Sequence, residues 1–188
     1  MMDKINHWDT ELLIFLNNLG TEFWDPFWIA ITGTAIWIPF YALLVFLIFK
    51  KLEGKSRWLA ILALIINVVI TDQGSVQLFK EQFLRLRPCH VEEVLARIRL
   101  PMDRCGGQYG FISSHSSSTF GLAVLVGSLL KTHFRYIMSF MLIWAAFISY
   151  SRIYLGVHYP IDVLAGATFG CVSGYIVFRG HQLIVSRL

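Results

Sequence analysis

Charge is in short supply in this chain. Only 15% of its 188 residues are Asp, Glu, Lys or Arg, against 56% hydrophobic and 15% aromatic. That balance excludes an ordinary soluble domain and points to a membrane protein. Internal repeats and low-complexity linkers are lacking, so residues 1–188 read as one domain. The chain's polar clusters lack the carboxylate-rich or Cys-rich ligand set expected of a metal site. The N-terminus has neither the basic start nor the small-residue cleavage site of a signal peptide. Its apolar residues Ile5, Trp8, Leu12, Leu13, Phe15 and Leu16 are interleaved with Asp9, Glu11, Asn17 and Asn18, the pattern of a helix lying in the membrane interface.

What the chain does have is long apolar segments. They fall at roughly residues 26–49, 58–79, 116–131, 134–150 and 160–178, each near the ~20 residues that cross a bilayer, and each necessarily helical where it faces lipid. The expected fold class is therefore all-α: a polytopic membrane helical bundle of about five transmembrane helices plus an N-terminal interfacial helix. Pro39, near the middle of the first segment, should kink it. In this topology Lys50, Lys51, Lys55, Arg57, Lys131, Arg135, Arg179 and Arg187 share one side of the membrane, and Lys4, Lys80, Arg85, Arg87, Arg97, Arg99, Arg104 and Arg152 the other. The cation count is tied at eight each. Setting aside Lys80, Arg87 and Arg152 as held by chemistry makes it eight against five, which puts the first side in the cytoplasm. The polar clusters then open to the periplasmic or extracellular face. Cys89 and Cys105 share the long outer loop, where an oxidising compartment lets thiols pair, while Cys171 lies in the last segment. The sequence carries no distance between the first two, so their pairing stays open.

Three polar clusters interrupt the apolar background. In the first, Gln73, Lys80 and Arg87 recur every seven residues, which on a continuous helix puts an ammonium and a guanidinium on one face, suited to an anion such as phosphate. Asp72, inside the same segment, is read as a structural partner. In the second, Ser113, Ser114 and His115 open the third apolar segment, where unpaired helix-start amides can face an anion and an imidazole can protonate a leaving oxygen. The third is Ser151-Arg152 followed by His158 and Asp162. Pro160 suits the first position of a helix, which places Asp162 in its first turn, one turn beyond His158. A carboxylate there can orient the imidazole and leave its other nitrogen free as a nucleophile or base. Each cluster alone is compatible with a helix cap or a snorkelling cation. All three land on the same membrane face, which chance would seldom arrange.

The spacing Lys80, six residues, Arg87-Pro88, then Ser113-Ser114-His115, then Ser151-Arg152, five residues, His158, three residues, Asp162 resembles the three-part signature of the type 2 phosphatidic acid phosphatase superfamily of membrane lipid phosphatases. The second part departs from the family's Pro-Ser-Gly-His: Ile112 stands for the Pro and Ser114 for the Gly. The resemblance implies that His158 attacks phosphorus, that Asp162 orients it, and that His115 protonates the leaving oxygen. It implies that Lys80, Arg87, Arg152, Ser113 and Ser114 hold phosphate oxygens, with no metal and no organic cofactor. The expected activity is metal-independent hydrolysis of a lipid phosphate or diphosphate at the outer face of a bacterial inner membrane. Undecaprenyl diphosphate is the first choice of substrate, because the chain has no large extra domain to recognise a headgroup. Phosphatidylglycerol phosphate, phosphatidic acid, lipid A phosphates, and phosphate transfer to another lipid are alternatives. A non-catalytic lipid carrier, transporter or scaffold is the alternative of another class. The expected partners are the bilayer and its lipid phosphate, with no nucleic acid. The number of subunits is not legible.

Overall fold

The computed structural model describes residues 2–102 and 104–188. Nine α-helices run through them: α1 Met2–Asn18, α2 Asp25–Thr32, α3 Ile38–Lys51, α4 Gly54–Gly74, α5 Glu81–Phe83, α6 Glu92–Leu95, α7 Ser114–Leu130, α8 Ile137–Tyr154 and α9 Pro160–Val185. Among the described residues the only strand-like pairing is an isolated bridge between Leu86 and Tyr109. The fold class is all-α, as expected from the apolar segments. Three helices are long and apolar enough to cross a membrane: Gly54–Phe83, Ile137–Tyr154 and Pro160–Val185. Asp25–Thr32 and Ala35–Lys51 meet at 70° and together supply a fourth crossing if taken as one span. Helix α7 has 17 residues, about 25 Å at 1.5 Å per residue, and runs through the middle of the bundle against α9, α8, α4 and α3.

The outward faces fit a lipid surround. Leu62, Ile65 and Val69 on α4, Ile143 on α8 and Leu164, Val172 and Ile176 on α9 are all exposed, where water would leave them at a cost and acyl chains would not. Helix α1 leaves Trp8, Leu12 and Phe15 exposed while burying Leu13, as an interfacial helix does. The bend in the first apolar segment is not where Pro39 predicts. The break follows Thr32, with Gly33 extended at φ −73 and ψ 130. Pro39 sits in the first turn of α3 instead, where its missing N–H has no intrahelical acceptor to lose.

Helices α7 and α9 make the most extensive contact in the bundle, and small residues let them. Gly166, Gly170 and Gly174, spaced four apart on α9, face Ser113, which caps α7, and Ser117 and Gly121 within it. A methyl group on Gly166 would lie 2.6 Å from the Ser113 carbonyl oxygen, and those on Gly170 and Gly174 would collide with the backbone of Ser117 and Gly121. Association of helices in lipid relies on such close backbone approach. Gly170→Val is therefore expected to cost about 1–3 kcal/mol or more by overpacking. Gly180→Ala, whose added methyl meets nothing, should leave stability unchanged or slightly raised. Thermal unfolding midpoints of the two variants in one detergent check this contrast.

Candidate active site

Four helix ends meet at one end of the bundle and carry the polar clusters with them. Helix α4 does not run on to Arg87, as the seven-residue spacing assumed. It passes into a π-helical turn, Ser75–Lys80, and then α5, and stops at Leu84, whose φ of +48 is left-handed. From there the chain turns back in extended form. The Arg87 N–H donates to Gln108 O (3.1 Å) and the Gly110 N–H to Arg85 O (2.8 Å), so two short segments pair across the loop. Arg87 thus reaches the same cavity as Lys80 by chain reversal. The turn from α8 to α9 depends on Gly156, at φ +68 and pressed against Arg99 O, a conformation that side chains with a Cβ resist. Pro160 opens α9 and Asp162 lies in its first turn, as the sequence indicated.

A cavity of about 340 Å³ is lined by Lys80, Arg87, Arg152, Ser114, His115 and His158, together with Arg104, Met102, Cys105, Gly106 and Val157. Among the described residues no carboxylate lines it, so its character is cationic and it suits a compact polyanion. Lys80 Nζ donates to Ser114 Oγ (2.7 Å), which also shares a hydrogen bond with Ser75 Oγ (2.6 Å). The hydroxyl that stands where the signature has Gly is thus tied to the cavity's ammonium. Arg152 donates to the Thr32 hydroxyl, linking α8 to α2. Arg87 Nε and Arg152 Nε have no protein partner. Ser113 is elsewhere: it is fully buried, caps α7 by accepting from the Ser116 N–H, and donates its own N–H to Asp162 O (3.0 Å). Its side chain does not line the cavity.

The environment of His158 selects its tautomer. Arg87 Nη1 lies 3.1 Å from His158 Nε2. A guanidinium has donors only, so Nε2 must offer its lone pair, and the ring proton belongs on Nδ1. Nδ1 faces Asp162 Oδ2 at 3.6 Å, outside hydrogen-bond length. Burial, with the charges of Arg87, Arg152 and Lys80, holds the imidazole well below its ordinary pKa. The nitrogen that faces the cavity is therefore unprotonated and available to attack an electrophile, and an arriving anion can draw Arg87 from it. Asp162 sits behind the cavity wall, its Oδ1 bound by Arg85 (2.7 Å) and its Oδ2 by the Tyr159 N–H (3.0 Å).

Sequence reasoning missed several of these residues. Arg104 and Arg99 were only charges to be counted, and Arg99 is half-buried against Asp25 (2.7 Å). Arg97 is exposed and paired with Glu11 (2.7 Å). Asp72 is exposed, accepts from Gln73 (3.1 Å), and lines a second, mostly apolar cavity of about 450 Å³. Tyr41, Leu64, Val68 and Leu122 also line that space, and it shares Ser114 and His115 with the cationic one. Cys89 and Cys105 lie side by side, with Cα atoms 6.0 Å apart, a separation that a disulfide can span. Cys105 also lines the cationic cavity.

Residues 56–185 match the model of the PAP2 superfamily, and the chain belongs to that superfamily. It is 35% identical to a lipid A 4'-phosphatase of Bacteroides thetaiotaomicron over 189 aligned residues, covering 100% of this chain and 83% of that one. It is 33% identical to an undecaprenyl-diphosphatase of Sulfolobus acidocaldarius, covering 92% and 69%. A transmembrane PAP2-type phosphatidylglycerolphosphate phosphatase of Bacillus subtilis shares its fold, at a TM-score of 0.72 and 17% identity, covering 96% of this chain and 88% of that one. The chain is an integral membrane lipid phosphatase of the PAP2 type.

The electrostatics of His158 can be read directly. In histidine-labelled protein, nitrogen NMR should find its ring mostly neutral at pH 6.5, where a free imidazole is about half protonated. Arg87→Gln removes a cation that disfavours the charged form and should raise the titration midpoint. A wild-type midpoint at or above about 6.5 would contradict this account of the site.

Proposed function

We propose that this protein hydrolyses a lipid phosphate through a phosphohistidine formed on His158 Nε2, without a metal. The observation that carries the reading is that a cavity lined by Lys80, Arg87, Arg104, Arg152 and two imidazoles, with no carboxylate among the described residues, adjoins an apolar cavity through Ser114 and His115. A phosphate can sit among the cations while its lipid extends into the apolar space. His158 attacks phosphorus with the Nε2 lone pair, and Asp162 stabilises the proton that stays on Nδ1. Lys80, Arg87 and Arg152, with Ser114 and the first-turn amides of α7, hold the oxygens that gain charge. His115 gives a proton to the leaving oxygen, then takes one from the water that cleaves the phosphorus–nitrogen bond. Ser113 acts from behind, by capping the helix that carries His115. Residues 1–188 work as one catalytic domain, and a Cys89–Cys105 disulfide clips the loop over the cavity.

The phosphate of a lipid A is the first choice of substrate, supported by the match to a lipid A 4'-phosphatase over the whole of this chain. An isoprenoid diphosphate is the second reading, favoured by Arg104 as a fourth cation at the cavity and by the match to an undecaprenyl-diphosphatase. The orientation inferred from the basic loops puts the site on the periplasmic side of a bacterial inner membrane. In support, Lys50, Lys51, Lys55 and Arg57 flank the turn between α3 and α4, at the other end of α4 from Lys80.

Purified protein should release inorganic phosphate in EDTA, with the highest kcat/KM on lipid A among a panel that includes undecaprenyl diphosphate, phosphatidylglycerol phosphate and phosphatidic acid. His158→Ala should lower turnover by about a thousandfold or more. Loss of activity in EDTA, or turnover that survives the substitution, would overturn the mechanism.

A further inference from the structure

Two charged groups outside the signature, the buried Asp9 and the partly buried Arg85, lead back to its centre. Asp9, on the interfacial helix α1, has a fully buried side chain. Its Oδ2 accepts from Arg85 Nη2 (2.6 Å) and its Oδ1 from the Ile161 N–H (2.9 Å) in the first turn of α9. Arg85 turns its other terminal nitrogen to Asp162 Oδ1 (2.7 Å) and lies over the Tyr159 ring, 4.1 Å from its centroid. The remaining oxygen of Asp162 takes the Tyr159 N–H and faces His158 Nδ1 at 3.6 Å. One guanidinium fork therefore spans two carboxylates, and both carboxylates also hold amides at the start of α9.

We infer that Asp9 and Arg85 are positioning residues for the His158–Asp162 pair, so that α1 is part of the working active site. The inference rests on the phosphohistidine reading. A carboxylate free to rotate would leave Nδ1 without a fixed partner when the ring gains positive charge. Bound at both oxygens, Asp162 has one orientation, with Oδ2 toward the imidazole. A guanidinium suits this bridge because its planar fork meets two acceptors at once, which a lysine ammonium does less well. Asp9 completes the fork, and by accepting from Ile161 it caps α9 from a separate helix. Docking of α1 against the α9 start is thereby coupled to the geometry at phosphorus. Neither residue lines the cavity, so they act through Asp162.

Two conservative variants separate positioning from simple support of the fold. Asp9→Asn keeps an acceptor for the Ile161 amide but turns a donor or a neutral oxygen to Arg85. Arg85→Lys keeps the cation but loses the fork. Each should lower kcat about tenfold or more, since a misplaced group near the chemistry costs up to about a hundredfold. KM and the inhibition constant of inorganic phosphate should stay within about twofold, because the cavity lining is untouched. Combined with Asp162→Asn, Arg85→Lys should add little further loss, as expected of residues acting through one another. Wild-type kcat in both variants would overturn the inference. So would parallel changes in kcat, KM and phosphate inhibition, or failure of both variants to accumulate as folded protein, which would mark the network as structural only. His158→Ala measured alongside distinguishes the two levels: if it is inactive while these variants are fully active, the phosphohistidine reading stands and the positioning role does not.

Discussion

The close approach of α9 to α7 is the constraint on which the site depends. Three glycines bring the two backbones together, and where they meet, the Ser113 amide donates to the Asp162 carbonyl. That contact sets the start of the helix bearing His115 beside the start of the helix preceded by His158. Both imidazoles then line one cavity, although neither helix would hold its end there alone. The membrane adds the other half of the constraint. Cations at its boundary are costly unless they have partners or a function, and Lys80 and Arg152 are each tied to a hydroxyl. Neither partner carries a negative charge, so the positive charge of these two groups stays available to an anion.

Much of this was legible in the chain. Hydrophobic segments long enough to cross a bilayer implied an all-helical bundle, and Pro160 with Asp162 marked the start of α9 correctly, because those signals are local. Signals that depend on the path of the backbone were not. The seven-residue spacing of Lys80 and Arg87 was taken for a helical face. Leu84 ends the helix in a left-handed turn, and an antiparallel pairing near Tyr109 delivers Arg87 instead. Pro39 was assigned a kink that belongs after Thr32, since a proline reads the same in the first turn of a helix as in its interior. The resemblance put Ser113 among the phosphate ligands, yet as the cap of α7 its side chain accepts from the Ser116 N–H of its own helix.

The residues that escaped notice share a physical cause. Asp9 and Arg85 lie 76 residues apart in the chain, with α2, α3, α4 and α5 between them, and an acid on an amphipathic helix normally faces water. Only the folded chain reveals that Asp9 is buried against the start of α9. Gly166, Gly170 and Gly174 were legible as a four-residue repeat of small residues, a signal that lay within the apolar run and was passed over. Arg104 sits in a loop of mixed charge, where nothing local distinguishes a cavity cation from a solvated one. The apolar cavity beside the cationic one was likewise out of reach, because four separate helices wall it.

The proposed mechanism turns on a covalent bond between phosphorus and one imidazole nitrogen. Acid-labile, base-stable phosphate should therefore be trapped on the enzyme when it is mixed with labelled lipid substrate and quenched in alkali within a single turnover. Peptide mapping by mass spectrometry should place it on His158, and His115→Ala, which retains the nucleophile, should still accumulate it. Turnover that proceeds with no phosphorylated peptide at any quench time, or with the label on a different residue, would contradict the mechanism.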